Sequence, residues 1–275
     1  MADDHRAVYQ ALARAIEEGN PSALATVIST IGSMPRHAGS KMLIYQDGQI
    51  VGTVGGGAME SAVIASARQV IDDQQPRTES YTLNDLSDGD PGICGGSAMI
   101  FIEPVAIPPT LLVIGGGHVG KALSELGKWM GYRVILSDDR EIYCNPDYVP
   151  GLDGYLVTSP DTINQHIHIT SHTYVATVTR GISVDEKLLP VLIKSDASYI
   201  GLIGSRRRWA ITARTLREKQ GITDAELQRI HSPIGLELEA ESPREIALSI
   251  MAEITMLRRG GTGQPMRWHG TVDEA

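Results

Sequence analysis

Residues 111–120 read Leu-Leu-Val-Ile-Gly-Gly-Gly-His-Val-Gly, an apolar run that leads into a glycine-rich turn. Gly115, Gly117 and Gly120 fit the pattern G-x-G-x-x-G, between a strand pattern and a helical pattern, which is the context it requires. The first glycine permits a tight turn, the second lets a pyrophosphate approach the backbone, and the third lets helix pack on strand. The stretch therefore predicts a Rossmann-type unit that begins near Thr110, and a tight turn without ligand is the alternative.

An acidic residue follows the next predicted strand, 132–137. Asp138 lies 23 residues after Gly115, where a carboxylate in a Rossmann unit can bond a ribose hydroxyl. Asp139 is the near alternative. A carboxylate at this place favours a nucleotide with a free 2′-hydroxyl over one with a 2′-phosphate.

Strand and helix patterns alternate after the turn, which predicts a parallel, doubly wound sheet. The predicted elements are strand 110–114, helix 118–130, strands 132–137, 154–158 and 173–178, helix 185–194, strand 198–203 and helix 206–219. The last helix is the best specified: Ser242 is a natural N-cap, Pro243 suits the first position, and Glu245 completes a capping box. Gly260 ends that helix.

The N-terminal part has a different pattern, which predicts a separate mixed α/β domain with a mixed sheet. Its predicted elements are helices 5–19 and 58–72 and strands 23–29, 41–45, 49–54, 78–83 and 98–103. Pro104, Pro108 and Pro109 mark a boundary. The predicted organisation is a domain at 1–107, a Rossmann-like domain at 108–260, and a loose tail at 261–275.

The charge of the chain argues against some classes of partner. The formal net charge is -9, and no basic block is longer than Arg206–Arg208. Nucleic-acid binders normally carry a concentrated basic face, so this class is disfavoured. The N-terminus is polar and acidic, unlike a signal peptide, and no apolar run approaches the length of a membrane span. We therefore expect a cytoplasmic protein with no nucleic-acid or membrane partner.

A second glycine turn carries groups suited to an anion. Gly204 follows strand 198–203, Ser205 is an N-cap candidate, and Arg206 begins a run of three arginines. Cations in the first turn of a helix oppose the helix dipole, and this conflict would be relieved if they faced an anion. A solvated triplet is the alternative.

Similar features occur in the N-terminal part. Gly55, Gly56 and Gly57 precede a helical run and expose N–H groups. Upstream, Arg36 lies in a loop and Lys41 close behind it; a guanidinium suits bidentate phosphate contact. Each feature alone is more often structural, but together they suggest an anionic ligand.

Two cysteines occur, in a spacing that makes neither a zinc knuckle nor a C-x-x-C pair. Cys94 is flanked by glycines, among them Gly95 and Gly96, so its sulfur could meet a thiophilic metal centre. A buried, inert cysteine is the alternative, and the residue alone favours it. Cys144 has no such frame and is interpreted as structural.

These motifs stand in a fixed order with other short motifs, from about Ala25 to Glu253. The set comprises Gly32–Arg36, Gly39–Met42, Gly52–Gly57 with Glu60, Cys94–Gly96, Phe101–Pro104, Gly115–Gly120 with His118, Asp138–Arg140, Tyr199–Ser205, Pro233–Leu236 and Ser242–Ala247. No single motif is unique, but the ordered set resembles the XdhC/CoxI family of xanthine dehydrogenase accessory factors.

The resemblance implies a role in delivering a cofactor, without turnover by the chain itself. The cargo would be molybdenum cofactor, as molybdopterin or its cytidine dinucleotide form, delivered to an apo-molybdenum hydroxylase of the xanthine dehydrogenase type. A cysteine desulfurase partner and a homodimer are also implied. The resemblance raises Cys94 to a cofactor contact, through the molybdenum, and adds Glu60 and His118 to the expected cofactor-binding residues.

One departure from the family pattern lies after the strand pattern 174–179. The family often has a histidine there, whereas this chain has Arg180 followed by Gly181. If this position touches ligand, the bound species or the client enzyme differs. A cofactor extended by a cytidine nucleotide is one candidate, because a Rossmann unit could hold the nucleotide end.

Two other functions stay open from the sequence. An NAD-dependent oxidoreductase is suggested by the Gly115–Gly120 turn with Asp138; no proton donor is evident, although His118 could be proposed. A nucleotide-sensing scaffold, in which ligand binding alters partner affinity, would use the same turn.

Overall fold

The structure, a computed structural model, describes residues 2–82 and 96–267. The chain divides into two compact units, Met1–Pro108 and Pro109–Ala275.

The described residues of the N-terminal unit form a five-stranded sheet with two long helices. Its elements are α1 (Ala2–Glu18), β1 (Ser22–Gly32), β2 (Lys41–Tyr45), β3 (Ile50–Gly52), α2 (Gly57–Asp73), β4 (Arg77–Thr82) and β5 (Gly96–Pro104). The strand order is β3-β2-β1-β5-β4, and every neighbouring pair is antiparallel. The prediction of a mixed sheet was wrong, because short connections join β1, β2 and β3 as antiparallel neighbours.

Each helix of this unit packs on a set of sheet side chains. Val63 and Val70 of α2 pack with Ala25, Met42 and Ile100 in one core cluster. A second cluster joins α1 to Leu24 of β1 and Leu43 of β2, through Val8, Ala11 and Ala15. Neighbouring residues of one strand thus bury on opposite faces.

The C-terminal unit is a six-stranded sheet covered by helices. Its elements are β6 (Thr110–Ile114), α3 (His118–Trp129), β7 (Arg133–Asp138), β8 (Gly154–Val157), β9 (Thr173–Thr177), α4 (Ile182–Ile193), β10 (Tyr199–Leu202), α5 (Arg206–Gln220), α6 (Asp224–Leu227), β11 (Ile230–His231) and α7 (Pro243–Arg259). Short 3₁₀ helices lie at Glu141–Tyr143 and Pro160–Gln165.

The strand order of this sheet is β8-β7-β6-β9-β10-β11, and all five pairs are parallel. Counted from β6 as the first strand, the order is 3-2-1-4-5-6, which is the doubly wound Rossmann arrangement. The predicted fold class, a mixed α/β domain followed by a Rossmann-like domain, is confirmed. Successive strands are added on one side of β6 up to β8 and on the other side from β9 onward, so the strand order reverses between β6 and β9. Ligands of such sheets bind at this switch point.

Both faces of β6 are buried. Leu111 and Val113 belong to a cluster with residues of α3 and α7, among them Leu123 and Ile250. Leu112 and Ile114 belong to another cluster with residues of α4 and α5, among them Leu188, Leu189 and Leu216. A continuous apolar strand is what a parallel sheet with helices on both faces requires.

The caps of the last helix agree with the sequence. Ser242 and Glu245 form the capping box, Pro243 is in the first turn, and Gly260 ends α7 in the left-handed conformation. The sequence interpretation missed α6 and β11, which have four and two residues. The signal for α6 was present, because Thr223 and Glu226 form a second capping box.

Glu253 fastens α7 to the end of the sheet. Its carboxylate accepts hydrogen bonds from the Tyr199 hydroxyl and the Gly235 N–H, and Nδ1 of His231 lies 3.2 Å from Oε1. Burial by itself raises the pKa of Glu253. These hydrogen bonds lower the pKa by a larger amount, so it lies below the usual value for a glutamate. Cys144 is buried, as expected of a structural cysteine.

Candidate functional site

A cavity of about 560 Å³ opens at the carboxyl edge of the parallel sheet. Residues from the ends of β6, β7, β9 and β10 and from the first turns of α3 and α7 line it. This is the switch-point crevice where doubly wound sheets bind ligands. Its size lies within the range of cofactor pockets, roughly 300–1,000 Å³.

The three motif glycines take the three positions that the pattern predicts. Gly115 has a φ of +111°, and a Cβ there would lie 2.5 Å from the carbonyl oxygen of Val178. A Cβ on Gly120 would lie 1.8 Å from the carbonyl oxygen of Gly115. Gly117 lines the cavity, and no described atom lies within 4 Å of its Cβ position. The backbone at Gly117 is therefore open to a ligand.

The first turn of α3 is the part of the site that offers N–H donors. Gly117 is its N-cap, and no side chain of the described residues caps this end. Ser205 and Ser242 cap α5 and α7 by contrast. Uncapped N–H groups at a helix start can bind an anion. His118, the first residue of α3, is exposed and lines the cavity.

Asp138 is occupied by protein donors. The Gly116 N–H donates to Oδ2 at 2.7 Å and the Arg140 N–H to Oδ1 at 2.9 Å. Arg140 also donates from Nε to Oδ1 and from Nη2 to Oδ2, at 2.9 and 3.0 Å. The side chain is only 4% exposed. Asp138 thus ties the glycine turn to Arg140, and contact with a ribose stays a prediction.

The protonation of Asp138 follows from these contacts. Burial by itself raises the pKa of this carboxyl. The guanidinium of Arg140 and the N–H groups of Gly116 and Arg140 together lower the pKa by a larger amount. The net shift of the pKa is downward, so Asp138 is ionised at neutral pH. Arg140 also lies over the ring of Tyr143, with 4.2 Å between the guanidinium carbon and the ring centroid.

A second ion pair, between Arg180 and Asp139, lies beside the same glycine turn. Nη2 of Arg180 donates to Oδ2 of Asp139 at 2.7 Å. Asp139 directly follows β7 and Arg180 lies three residues after β9, while β6 runs between these two strands. The pair therefore spans the carboxyl end of β6, where the glycine turn begins.

Arg208 is held by a buried carboxylate. Its Nε and Nη2 donate to Oδ2 of Asp185, at 3.0 and 2.7 Å, and Nη2 donates to the Thr179 hydroxyl at 2.8 Å. The side chain of Asp185 is 0% exposed and that of Arg208 is 19% exposed. Arg208 lines the cavity, so a fixed positive charge faces it.

The residues of the second predicted anion site, around Gly204, have different roles in the structure. Ser205 is the N-cap, since its hydroxyl accepts the Arg208 N–H at 3.2 Å. A Cβ on Gly204 would lie 2.8 Å from Cδ of Arg208. Arg206 is exposed and lies outside the cavity lining, whereas Arg208 lines it. Helix phase decides which of the three arginines faces the cavity, and this is Arg208. Contact of Arg206 with a cofactor stays a prediction.

In the N-terminal unit, the backbone N–H groups of the glycine turn donate to nearby side chains of the same segment. The Gly55 N–H donates to the Thr53 hydroxyl at 3.1 Å, and the Gly56 N–H donates to the Glu60 carboxylate at 3.1 Å. The Thr53 hydroxyl in turn donates to Glu60 at 2.5 Å. Glu60 therefore takes an N–H group that an anion would need, and Gly57 begins α2.

The other predicted residues of this unit lie at the β1–β2 and β1–β5 pairings. Nζ of Lys41 donates to the Thr26 hydroxyl at 2.9 Å. Gly96 pairs with Gly32, and a Cβ on Gly96 would lie 2.6 Å from the carbonyl oxygen of Ser33. Gly96 thus packs against the loop that carries the half-buried Arg36. Cys94 and Gly95 lie outside the described residues.

Within residues 2–82 and 96–267, no group of three or more His, Cys, Asp or Glu side chains could hold a metal ion. No helix of these residues is both long and apolar enough to cross a membrane.

The strand order and the three-glycine turn at the switch point define the C-terminal unit as a Rossmann-type domain. Residues 111–254 match the model of the XdhC Rossmann domain, and residues 15–82 match that of the XdhC and CoxI family. The chain belongs to the XdhC and CoxI family. The resemblance inferred from the ordered motifs is thereby confirmed.

Three curated proteins are similar to the chain. YqeB of Escherichia coli, an uncharacterized protein, is 31% identical over 258 residues, or 93% of this chain and 47% of YqeB. A probable xanthine dehydrogenase subunit of Bacillus subtilis is 30% identical over 160 residues, 58% of this chain and 46% of that protein. The chain therefore spans about half the length of these two relatives.

The third relative matches over nearly its full length. It is the molybdenum cofactor insertion chaperone PaoD of Escherichia coli, 21% identical over 293 residues, with 94% of this chain and 90% of PaoD covered. A crystal structure described as a xanthine dehydrogenase from Bacillus halodurans shares the fold. Its TM-score is 0.50 at 23% identity, over 92% of this chain and 96% of that chain.

Proposed function

We propose that this chain is an accessory protein that binds molybdenum cofactor and delivers it to an apo-hydroxylase of the xanthine dehydrogenase type. The names of two relatives, one an insertion chaperone and the other a probable component of xanthine dehydrogenase, support this role. The observation that carries the proposal is the cavity beside Gly117, where open backbone and the uncapped start of α3 face fixed guanidinium groups. We propose no reaction catalysed by the chain itself.

The chemistry of the cargo fits the groups that are present. Molybdenum cofactor carries a phosphate, and its cytidine dinucleotide form carries a diphosphate. The backbone of Gly117 leaves room for phosphate oxygens, and helix N–H groups and guanidinium groups bind them well. We therefore propose that this cavity takes the nucleotide end of the dinucleotide form.

The remaining parts of the proposal come from the family resemblance. We propose that Cys94 contacts the molybdenum centre, since a thiolate is a soft ligand. A cysteine desulfurase partner, a homodimer and a cytoplasmic location are likewise proposed. Of the predicted contacts in the N-terminal unit, Glu60 has the clearest other role, because it bonds to Thr53 and Gly56.

A nucleotide-sensing scaffold is the second candidate. The same cavity supports it, because a Rossmann turn can bind a nucleotide without any chemistry following. An NAD-dependent oxidoreductase would use the turn as well, with His118, which lines the cavity, as a candidate proton donor. The oxidoreductase predicts tight NAD binding and hydride transfer to a substrate, whereas the scaffold predicts that binding of a client protein changes with nucleotide.

Anaerobic binding of molybdenum cofactor tests the proposal. Wild-type protein, Cys94→Ala and Cys144→Ala are mixed with the cofactor, and co-elution and metal content are measured. We expect wild type and Cys144→Ala to retain cofactor and to activate an apo-hydroxylase, and Cys94→Ala to lose retention. Equal retention by Cys94→Ala would remove Cys94 from the site. No retention by wild type would contradict the chaperone function and favour the nucleotide sensor.

A further inference from the structure

Three arginines line the cavity, and their carboxylate partners differ in burial. Arg140 and Arg208 are held by Asp138 and Asp185, whose side chains are 4% and 0% exposed. Each of these two guanidinium groups makes two hydrogen bonds to its partner. They are therefore fixed parts of the wall.

Arg180 is held in a different way. Its side chain is 50% exposed and that of its partner Asp139 is 39% exposed. One hydrogen bond, of 2.7 Å, joins them. An exposed pair of this kind contributes little to stability, because solvent screens the attraction and both side chains lose freedom. The contact can therefore be exchanged at small free-energy cost.

The position of this pair coincides with the path of a ligand. Asp139 follows β7 and Arg180 follows β9, so the pair reaches across the end of β6. The turn at Gly115–Gly117, where a Rossmann domain receives a diphosphate, continues directly from β6. A diphosphate on this turn would lie between the two strand ends that the pair connects.

Asp139 also has a second guanidinium within reach. Nε of Arg140 lies 3.8 Å from Oδ1 of Asp139. If Arg180 turned away, Asp139 would keep a positive neighbour, and no carboxylate would be left without compensation. The released guanidinium could then bind phosphate oxygens in its usual bidentate geometry.

We propose that Arg180 is an exchangeable phosphate clamp, paired with Asp139 in the free protein and transferred to the diphosphate of a nucleotide bound at Gly117. The ligand class is a nucleoside diphosphate or a dinucleotide. This inference deepens the proposed function, since it names the group that recognises the diphosphate of a nucleotide-extended cofactor. It applies equally to ligands without molybdenum, so the two proposals can fail separately.

Isothermal titration of the full chain with CDP, NAD and inorganic pyrophosphate tests the clamp, and cytidine serves as the ligand without phosphate. We expect Arg180→Ala to weaken binding of CDP about 10- to 100-fold, the range for hydrogen bonds to charged groups. Asp139→Asn removes the competing carboxylate, and we expect it to tighten binding about twofold to fivefold. The gain from Asp139→Asn should be clearly smaller in the Arg180→Ala background, because only the repulsion between the carboxylate and the diphosphate is then removed.

The matched control is another exposed Arg–Asp pair of the same unit. Arg217 lies in the last turn of α5 and Asp224 begins α6, and their side chains are 54% and 73% exposed. Arg217→Ala and Asp224→Asn remove one charge each and should leave CDP affinity unchanged. Thermal unfolding of every variant checks the fold.

Three outcomes would overturn the clamp: wild-type affinity for CDP in Arg180→Ala, a gain from Asp139→Asn that is equally large without Arg180, or failure of wild type to bind CDP, NAD and pyrophosphate. Loss of cofactor delivery with normal CDP binding would instead contradict only the chaperone function.

Discussion

The carboxylate of Asp138 and the guanidinium of Arg140 meet in a bidentate contact, with Nε 2.9 Å from Oδ1 and Nη2 3.0 Å from Oδ2. The same carboxylate accepts the N–H of Gly116 at 2.7 Å. One side chain at the end of β7 therefore holds the glycine turn in place and aims an arginine at the cavity. The acid expected to meet a ribose acts first as a support for the turn.

The stability of the C-terminal unit should depend on pH through Asp138. In the folded state, the pKa of this carboxyl lies below its ordinary value of 3.8. The stabilisation is therefore fully present above the pKa of the unfolded chain, and it is lost as pH falls through the folded pKa. We expect the free energy of unfolding, measured by urea titration, to drop below about pH 4 more steeply in wild type than in Asp138→Asn. Parallel curves would contradict this.

Glycines 117 and 120 should separate ligand binding from folding. A Cβ at Gly117 meets no described atom within 4 Å, so Gly117→Ala should change the free energy of unfolding by less than about 1 kcal/mol. The methyl group would occupy the space for phosphate, so CDP affinity should fall about tenfold or more. Titration calorimetry and urea unfolding measure the two effects.

Gly120→Ala, in contrast to Gly117→Ala, should lower the stability of the protein. Its Cβ would lie 1.8 Å from the Gly115 carbonyl oxygen, and backbone must move to relieve the overlap. We expect a loss of about 3 kcal/mol or more in stability. Gly154→Ala is the control, because its Cβ meets only Ile135, at ordinary contact distances of 3.5 Å and beyond. Normal stability of Gly120→Ala would show that the close packing of α3 on β6 is not required.

The Arg208–Asp185 pair should be strongly coupled. Removing either partner leaves the other charge buried, and such changes cost about 3–5 kcal/mol. We expect Arg208→Met and Asp185→Leu each to destabilise the protein by this amount. The double variant should recover much of the loss, because neither buried charge remains. Urea unfolding of the four proteins measures the coupling, and additive losses would contradict it.

Variants of Glu60 can show whether this residue stabilises the glycine turn of the N-terminal unit or binds the cofactor. Its carboxylate accepts from Thr53 and from the Gly56 N–H. We expect Glu60→Ala to lower the free energy of unfolding by about 1–2 kcal/mol, and Glu60→Gln to restore part of it because an amide oxygen can still accept. Unchanged stability together with lost molybdenum cofactor retention would assign Glu60 to the cofactor instead.

The sequence alone predicted the features that depend on neighbouring residues. Gly115, Gly117 and Gly120 were recognised from a pattern of six residues, and the capping box at Ser242 from a pattern of four residues. The alternation of apolar strands and amphipathic helices predicted a parallel, doubly wound sheet. These signals are local, so they can be recognised before the chain is folded.

Only the tertiary structure decided which charged groups meet. Arg180 and Asp139 are 41 residues apart and become partners because β7 and β9 flank β6. Helix phase turns Arg208 rather than Arg206 toward the cavity, and the packing of α5 beside α4 makes Asp185, 23 residues away, the partner of Arg208. Such contacts depend on strand order and side-chain direction together. A pattern of residue types determines that an anion site is plausible, but the folded sheet determines which guanidinium can reach it.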